Sequence, residues 1–363
     1  MIPMQKTIPL YVRKDHTLRV KIIDACGMTC TFCHNEGTPV TSDNIGRKIG
    51  EWTGAGRSGR VSIYLATNGA RFLPSAITPD AEFQRALILL HESLNVHELH
   101  LTGGEPTLHP QLPKIVQVAR LSGYQVCMTS NGENGSRAIP SCAEAGLDRI
   151  NFSIFGTTAE ELAQVQHRKY QNKHFAEFKI QALRQSIQVA INHKVKVNAN
   201  IVVPSYDHAL RVKRLLEEYS PELSVRLLNS LNDGKPSIDA ICQILEDLKA
   251  EPITRYITAG VSGSRTAYRL PSGRIIYFKQ IRPVRLPDTC SKCRFNNDAD
   301  CQEGFYGVRL YRSQNGEFQV GVCIHRMDLC MPLEQFINSD LRKEILELRE
   351  KEYNELVKKE EHE

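Results

Sequence analysis

The stretch Leu18-Arg-Val-Lys-Ile-Ile23-Asp-Ala-Cys26-Gly-Met-Thr-Cys30-Thr-Phe-Cys33 joins a β-prone run directly to three closely spaced cysteines. Leu18–Ile23 is rich in branched apolar residues, so we predict a strand there. In chains that alternate strands and helices, functional side chains collect at the carboxyl ends of the parallel strands. The three cysteines follow the strand at once, so we expect them at such an end.

Helical patterns and β-prone runs alternate over the first two-thirds of the chain, which indicates βαβ units around a parallel sheet. The further predicted strands are His97–Thr102, Val126–Thr129, Leu147–Ile154, Val195–Val203 and Leu223–Leu228. The predicted helices are Asp80–Leu94, Leu112–Ser122, Ala138–Ala145, Ala176–His193 and His208–Tyr219. The predicted fold class is therefore α/β, with a partial (β/α)6 TIM-like barrel in residues 1–230.

The chain changes character beyond the predicted barrel. A helix at Ile238–Leu248 and a basic, β-prone stretch at Ser264–Arg285 lead into a second group of cysteines, so we predict a C-terminal cysteine-rich domain in residues 231–334. Residues 335–363 carry a charged amphipathic pattern and are predicted to form a packing or capping helix. A Gly-rich segment at about 46–73 does not fit the alternation and is predicted to be an inserted hairpin or loop.

The composition of the 363 residues is that of an ordinary globular protein, with 41% apolar and 24% charged residues. A net charge of +5 is small for this length, which argues against wholesale nucleic-acid binding. The first residues, Met1–Lys6, lack the apolar core of a signal peptide, and no run approaches the roughly 20 apolar residues of a membrane helix. We therefore expect a cytoplasmic protein without a membrane partner.

Eleven cysteines require an explanation, because disulfides are rare in a reducing cytosol. Their odd number and local grouping indicate metal ligation. Cys127, Cys142 and Cys242 stand alone and are expected to be small buried hydrophobes. The others form two groups, which are Cys26, Cys30 and Cys33, and then Cys290, Cys293, Cys301, Cys323 and Cys330.

Thiolates are soft ligands that select iron–sulfur clusters, zinc or copper(I). Three cysteines in one short loop can bind three corners of a cubane cluster and leave the fourth iron open to another ligand. Zinc is the alternative, with His34 as a fourth ligand, although a histidine adjacent to Cys33 shares a tetrahedral site poorly.

The C-x3-C-x2-C spacing, with Phe32 before its last cysteine, resembles the signature of the radical S-adenosylmethionine (SAM) superfamily. The resemblance implies a 4Fe–4S cluster on Cys26, Cys30 and Cys33 whose open iron binds the amino and carboxylate groups of SAM. It also implies an electron donor such as flavodoxin or ferredoxin. In that family the reduced cluster cleaves SAM to a 5′-deoxyadenosyl radical, which abstracts hydrogen from the substrate.

Further motifs extend this resemblance to about 85% of the chain. Leu101-Thr-Gly-Gly-Glu-Pro106 resembles the GGEP motif of the family, whose residues contact the amino group of SAM. Polar residues at later strand ends are similar to those that bind the ribose and carboxylate of SAM. The resemblance therefore implies a SAM-binding set that consists of Phe32, Gly103, Gly104, Glu105, Ser130, Ser153 and Asn200.

The second cysteine group resembles the C-terminal auxiliary-cluster domain, of the SPASM/twitch type, that is found in the MoaA-like subfamily. This subfamily contains the molybdenum-cofactor GTP cyclase. The Arg309-Leu310 strand and the Asn315-Gly316 turn belong to the same pattern. The resemblance implies an auxiliary 4Fe–4S cluster on Cys290, Cys293, Cys301 and Cys323. Cys301 is additional to the three cysteines of the cyclase, so this cluster could be saturated and serve electron transfer or structure rather than substrate binding. Cys330 is a further candidate, and a zinc ribbon is the alternative.

Six cations occupy 21 residues before this group, and arginine forks match phosphate and carboxylate groups. The substrate candidates among them are Arg265, Arg269, Arg274 and Arg282. The chain ends in Lys359-Glu-Glu-His-Glu363 rather than in the Gly-Gly tail of the cyclase, so it is predicted not to be the molybdenum-cofactor enzyme itself.

The predicted function is radical chemistry on a small anionic substrate, such as a nucleoside, a nucleotide or a sugar acid in natural-product biosynthesis. Cyclisation, decarboxylation, epimerisation and dehydrogenation all remain open. A peptide-modifying maturase and, in another class, a zinc-stabilised nucleic-acid-binding protein are the alternatives. No catalytic acid, base or radical-quenching residue is assigned. Tyr306, Tyr311 and His325 lie near the second cysteine group, and core packing is expected of them.

Overall fold

A computed structural model describes residues 8–33, 69–298 and 300–360 of the chain. The described residues divide into two compact units. We call residues 16–199 and 307–342 the parallel unit. We call residues 8–15, 200–306 and 343–360 the mixed-sheet unit.

The elements are numbered in chain order. The strands are β1 Leu10–Lys14, β2 Thr17–Ile23, β3 Pro74–Ser75, β4 Glu98–Gly103, β5 Gln125–Ser130, β6 Leu147–Ser153, β7 Lys196–Val203, β8 Ser224–Asn229, β9 Glu251–Ala259, β10 Gly263–Arg269, β11 Ile275–Ile281, β12 Val308–Ser313, β13 Phe318–Gly321 and β14 Met331–Pro332. The helices are α1 Ala81–Leu94, α2 Leu112–Leu121, α3 Gly135–Glu144, α4 Ala159–Gln164, α5 Lys173–Asn192, α6 Ala209–Glu218, α7 Gly234–Asp247, α8 Leu333–Ile337 and α9 Asp340–Glu360.

The parallel unit is built on the strand order β6-β5-β4-β2-β12-β13-β14, with β3 paired to β12. Strands β2, β4, β5 and β6 run parallel, and α1, α2 and α3 connect them in turn. Branched residues alternate into a fully buried layer, as Leu18, Val20 and Ile22 do on β2. The α/β class and the parallel sheet are therefore confirmed. All four carboxyl ends lie at one edge of this sheet, where the first three cysteines follow β2.

Local signals fix the helix ends in this unit. Asp80 caps α1, because its carboxylate accepts a hydrogen bond from the Phe83 N–H at 2.9 Å. The helix ends at Asn95, which takes the left-handed conformation with φ 51°. The predicted start at Asp80 and end near Leu94 are confirmed. By contrast, α3 begins at Gly135, three residues before the predicted Ala138.

The hairpin β12/β13 has the predicted strand at Arg309-Leu310 and a turn over Asn315-Gly316. Strand β12 also pairs in parallel with β2, with Leu310 opposite Val20. A segment from the predicted C-terminal domain thus extends the sheet that carries the first cysteine loop. The predicted boundaries after residues 230 and 334 stay predictions.

The mixed-sheet unit has the strand order β1-β9-β10-β11-β8. The predicted β-prone stretch Ser264–Arg285 contains the antiparallel pair β10/β11, and β11 runs parallel to β8. Strands β1 and β9 were not predicted; they pair in parallel at the edge of this sheet.

The predicted C-terminal helix is two helices, α8 and α9, so the prediction of one continuous helix is wrong. Ser339 causes the break, because its hydroxyl donates to the Phe336 carbonyl at 2.7 Å and accepts from the Arg342 N–H at 3.2 Å. Such side-chain bonds compete with helix continuation and cap the next helix. Of the predicted insertion, residues 46–68 lie outside the described residues.

Among the residues that the structure describes, no helix is long and apolar enough to cross a membrane.

Candidate active site

The cysteine loop, residues 24–33, leaves β2 and is fastened first to the end of β4. The Gly104 N–H donates to the Ile23 carbonyl at 2.7 Å. Gly103 has φ +145°, and a Cβ there would lie 2.2 Å from the Ile23 carbonyl oxygen. Only glycine fits so close an approach. The Gly-Gly pair therefore lets β4 end directly against the loop.

The other side of the loop is held by Val165–His167, the segment that follows α4. The Thr31 N–H donates to the Val165 carbonyl at 2.9 Å, and the His167 N–H donates to the Thr29 carbonyl at 2.8 Å. These bonds form a short antiparallel bridge centred on Cys30 and Gln166. The loop thus has main-chain partners on both sides.

Two of the three sulfurs accept hydrogen bonds from carboxamides. Asn131 Nδ2 lies 3.6 Å from Cys26 Sγ, and Gln166 Nε2 lies 3.5 Å from Cys30 Sγ. Burial raises the pKa of the Cys26 thiol far above its usual range and that of Cys30 to about 12. Neither thiol therefore ionises readily unless a cation binds beside it.

A buried ion pair also contacts the loop. The Glu133 carboxylate accepts the Gly27 N–H at 2.8 Å and pairs with the Lys179 ammonium. The side chains of Glu133 and Lys179 are 11% and 6% exposed, so water screens this pair little. Lys179 lies 5.0 Å from the ring centre of Phe175. The turn after β5, which carries Glu133, and helix α5, which carries Lys179, thus both support the loop.

The donor set of the loop fits a four-iron cluster, because three soft thiols stand within eight residues, with Cys30 buried and Cys26 and Cys33 half-buried. Within residues 8–33, 69–298 and 300–360, no three His, Cys, Asp or Glu side chains converge on a single ion. A cubane cluster does not require that convergence, since each cysteine binds a different iron. His34 lies outside the described residues.

Glu105 is fully buried and joins the ends of β4 and β5. Its carboxylate accepts hydrogen bonds from the Ser130 hydroxyl at 2.7 Å, the Asn131 N–H at 2.6 Å, and the N–H and hydroxyl of Thr107 at 3.0 and 2.7 Å. Burial raises the pKa of Glu105, and these bonds oppose the shift. The side chains of Glu105 and Ser130 are therefore bonded to each other, and the Glu105 side chain has no solvent-exposed surface.

The other predicted SAM-binding side chains keep accessible surface or a free acceptor. Phe32 is 47% exposed, and its ring centre lies 5.1 Å from that of Phe155. Ser153 ends β6 and is half-buried. The side-chain oxygen of Asn200, on β7, is buried without a hydrogen-bond partner among the described residues.

A polar face of the parallel sheet was not predicted. His100 Nε2 lies 2.7 Å from Thr129 Oγ1, and Asn198 Nδ2 donates to Asn151 Oδ1 at 2.9 Å. Thr129 and Asn151 are paired neighbours on β5 and β6. Alternation along β6 could have shown this face, since Asn151 and Ser153 are two residues apart. Asn131 adjoins Ser130 at a predicted polar strand end, whereas no comparable signal marked Glu133, Gln166 or Lys179.

The isolated cysteines have different environments. Cys142 is fully buried in α3, as predicted. Cys127 is also buried, but Arg149 hydrogen-bonds its sulfur, so it lies on the polar face. The prediction for Cys242 is wrong, because this residue is exposed on α7 beside Asp239 and Glu246.

The second cysteine group is divided between the two units. Cys290, Cys293 and Cys301 lie in the mixed-sheet unit and are close enough that charge on the other two raises the pKa of Cys290, after the larger effect of burial. Cys323 follows β13 in the parallel unit. Cys330 packs on Ala70, Tyr311 and Met327, and core packing of Tyr311 is confirmed.

The predicted basic residues also divide by environment. The Arg274 guanidinium donates to the carbonyls of Leu216, Ser220 and Leu223, and Arg282 pairs with Glu352. Arg269 is exposed at the end of β10. The Arg265 guanidinium lies between two tyrosine rings, 4.8 Å from Tyr256 and 5.2 Å from Tyr277. Lys279 is paired directly opposite Arg265 on β11.

The Radical SAM superfamily model matches residues 20–218, which is more than half of the chain and includes the cysteine loop with its Gly-Gly partner. The chain belongs to the radical SAM superfamily. Members of this family are enzymes that use a 4Fe–4S cluster and SAM, so this chain is a radical SAM enzyme with these cofactors.

Relatives of this radical SAM protein include two proteins named as probable GTP 3′,8-cyclases. The protein from Aeropyrum pernix is 25% identical over 289 residues, which cover 78% of this chain and 70% of the relative. The protein from Metallosphaera sedula is 26% identical over 290 residues, which cover 79% and 78%. The crystal structure of Streptococcus suis SuiB matches with a TM-score of 0.49 and 12% identity, over 91% of this chain and 65% of that chain.

Proposed function

We propose that this radical SAM enzyme binds its 4Fe–4S cluster through Cys26, Cys30 and Cys33 and acts on a small anionic substrate. The observation that carries the proposal is the cysteine loop, which leaves a parallel strand at its carboxyl end and places two of its sulfurs within hydrogen-bonding distance of carboxamide N–H groups. When bound and reduced, the cluster supplies the electron that cleaves SAM to a 5′-deoxyadenosyl radical, which takes hydrogen from the substrate.

The chain's own part is to bind and orient SAM beside the loop. The half-buried main chain at Gly103-Gly104 offers carbonyl groups to the SAM ammonium group. The adjoining rings of Phe32 and Phe155 offer apolar surface to the adenine. Asn200 offers an unpaired acceptor oxygen, and Ser153 a hydroxyl, to the ribose or the ammonium. The buried side chains of Glu105 and Ser130 bond to each other and support this arrangement. In this proposal, these two residues contact SAM through their main-chain groups.

The substrate proposal rests on Arg265 and Lys279. Like charges directly opposite each other on neighbouring strands repel, so an anion placed between them stabilises the pair. The rings of Tyr256 and Tyr277 hold the Arg265 fork in place and add flat apolar surface. Phosphate or carboxylate beside a planar base or a sugar ring suits this surface. We therefore propose a nucleoside, a nucleotide or a sugar acid, with Arg269 as a further contact.

We also propose a second 4Fe–4S cluster on Cys290, Cys293 and Cys301, which all belong to the mixed-sheet unit. The main chain supports the grouping, because the Cys293 N–H donates to the Cys290 carbonyl at 3.0 Å and so places both residues in one turn. The proposed role of this cluster is electron transfer or structure. A zinc ion is the other outcome, and metal analysis separates the two.

The test is SAM cleavage by anaerobically reconstituted protein. We expect broad absorbance near 400 nm, and 5′-deoxyadenosine that increases when a nucleotide or a sugar acid is added to reduced enzyme with SAM. The variant with Cys26, Cys30 and Cys33 all changed to Ala should form none. Cys242→Ser is the matched control, since Cys242 is exposed and isolated. A colourless protein with stoichiometric zinc would overturn the proposal, and stimulation only by peptides would replace the substrate class.

A further inference from the structure

Asn131 and Gln166 are two nearly fully buried carboxamides, and each contacts one cysteine of the loop. Asn131 follows β5, and Gln166 follows α4. Each places its amide nitrogen within hydrogen-bonding distance of one sulfur, 3.6 Å for Cys26 and 3.5 Å for Cys30. Sulfur accepts hydrogen bonds at longer distances than oxygen does, so both separations are bonding contacts.

The direction of each carboxamide is set by its oxygen. Asn131 Oδ1 accepts the Glu133 N–H at 2.8 Å, and Gln166 Oε1 accepts the Thr29 N–H at 2.7 Å. An N–H group cannot face the amide nitrogen, so in both residues the NH₂ group must be the end that faces sulfur. The donors are therefore fixed by main-chain partners and do not depend on side-chain rotation.

From this geometry we propose that Asn131 and Gln166 are positioning residues that donate N–H···S hydrogen bonds to the cluster-bearing cysteines and raise the reduction potential of the cluster. The inference rests on the proposed cluster site. Reduction adds negative charge that is shared with the cysteine sulfurs, and a donor to sulfur stabilises the more negative state. The loop then makes the cluster easier to reduce than the same three thiolates without these donors.

The experiment compares midpoint potentials of reconstituted full-length variants. Asn131→Leu and Gln166→Leu remove the donor at similar size, while Asn131→Asp and Gln166→Glu also remove it but keep the acceptor for Glu133 or Thr29. Gln171→Leu is the matched control, because the exposed Gln171 carboxamide donates to the carbonyls of Gln164 and Gln166 and, among the described residues, to no sulfur. Iron content and absorbance are recorded for every variant before the titration.

We expect each Leu variant to retain iron. At a fixed solution potential, its ratio of reduced to oxidised cluster should be about tenfold lower, which corresponds to a midpoint potential lowered by about 59 mV for a one-electron couple. The carboxylate variants should shift in the same direction, and Gln171→Leu should match the unsubstituted enzyme. Unchanged midpoints in all four donor variants would overturn the inference.

A second measurement covers the case in which the variants fail to hold a cluster. In the unsubstituted enzyme, Fe–S stretching bands should shift between H₂O and D₂O, because the donors to sulfur are exchangeable. Bands that are insensitive to deuterium would also overturn the inference. If the unsubstituted protein itself binds no four-iron cluster, the proposed function fails, and that result is distinct from an unchanged midpoint.

Discussion

The carboxylate of Glu133 accepts the main-chain N–H of Gly27 at 2.8 Å, across 106 residues of sequence. Gly27 lies between the first two cysteines of the loop, and a Cβ at this position would lie 1.5 Å from Glu133 Oε1. The loop can therefore close against the carboxylate only when residue 27 has no side chain.

Replacement of Gly27 by Ala should displace either the loop or Glu133. We expect the purified variant to lose most of the four irons of the loop cluster, so that its iron content falls to about half of that of the unsubstituted protein after identical reconstitution. Gly263→Ala is the control, because a Cβ there would have no neighbour closer than 3.9 Å. Equal iron content in the two variants would show that the carboxylate does not confine the loop.

The Glu133–Lys179 pair predicts a non-additive effect on stability. Lys179→Met leaves a buried carboxylate without its partner, which costs about 3–5 kcal/mol. Glu133→Gln in the same chain removes that charge and can keep the Gly27 contact, so the double variant should unfold at a higher temperature than Lys179→Met alone. Anaerobic thermal unfolding measures this difference. A double variant less stable than the single one would contradict the pairing.

Arg265 and Arg274 should respond to substitution in opposite ways. Arg274→Met removes three hydrogen bonds to main-chain carbonyls near the end of α6 and should destabilise the protein by about 1.5–3 kcal/mol with little change in KM. Arg265→Met should leave the unfolding temperature nearly unchanged and raise KM about tenfold or more for the anionic substrate. The unfolding temperature and the KM of both variants would test this division, and a raised KM for Arg274→Met alone would reverse it.

The second cysteine group predicts a specific iron count. A chain with two four-iron clusters should contain about eight irons, and replacement of Cys290, Cys293 and Cys301 by Ala should lower the count by about four. The variant should keep the spectrum of the first cluster. Zinc bound at one ion per chain, with four irons retained, would instead identify a structural zinc site.

Much of the fold followed from periodicity in the sequence. The strand before Cys26 and the helix capped by Asp80 were predicted because their signals are local: branched runs, a capping side chain and a left-handed end residue. The parallel pairing of β12 with β2 was not predicted, because no local pattern reports that residues near 310 lie beside residues near 20. The break at Ser339 was missed because a single hydroxyl decided it.

The sequence by itself determined where the cysteine loop and Gly103-Gly104 begin, because each directly follows or ends a strand that the local pattern predicts, and the spacing of Cys26, Cys30 and Cys33 predicted their ligand role. Only the tertiary structure decided what surrounds those sulfurs. The residues that contact or support the loop lie about 100 to 150 residues beyond it in the sequence, and they are Asn131, Glu133, Gln166 and Lys179. Their amide and charged groups reach the loop only because the fold brings these segments together. Tertiary packing also joined the Ser130 hydroxyl to the buried Glu105 carboxylate, at 2.7 Å. The physical reason is that ligand identity depends on side-chain type, whereas burial and hydrogen bonding depend on which distant segments pack together.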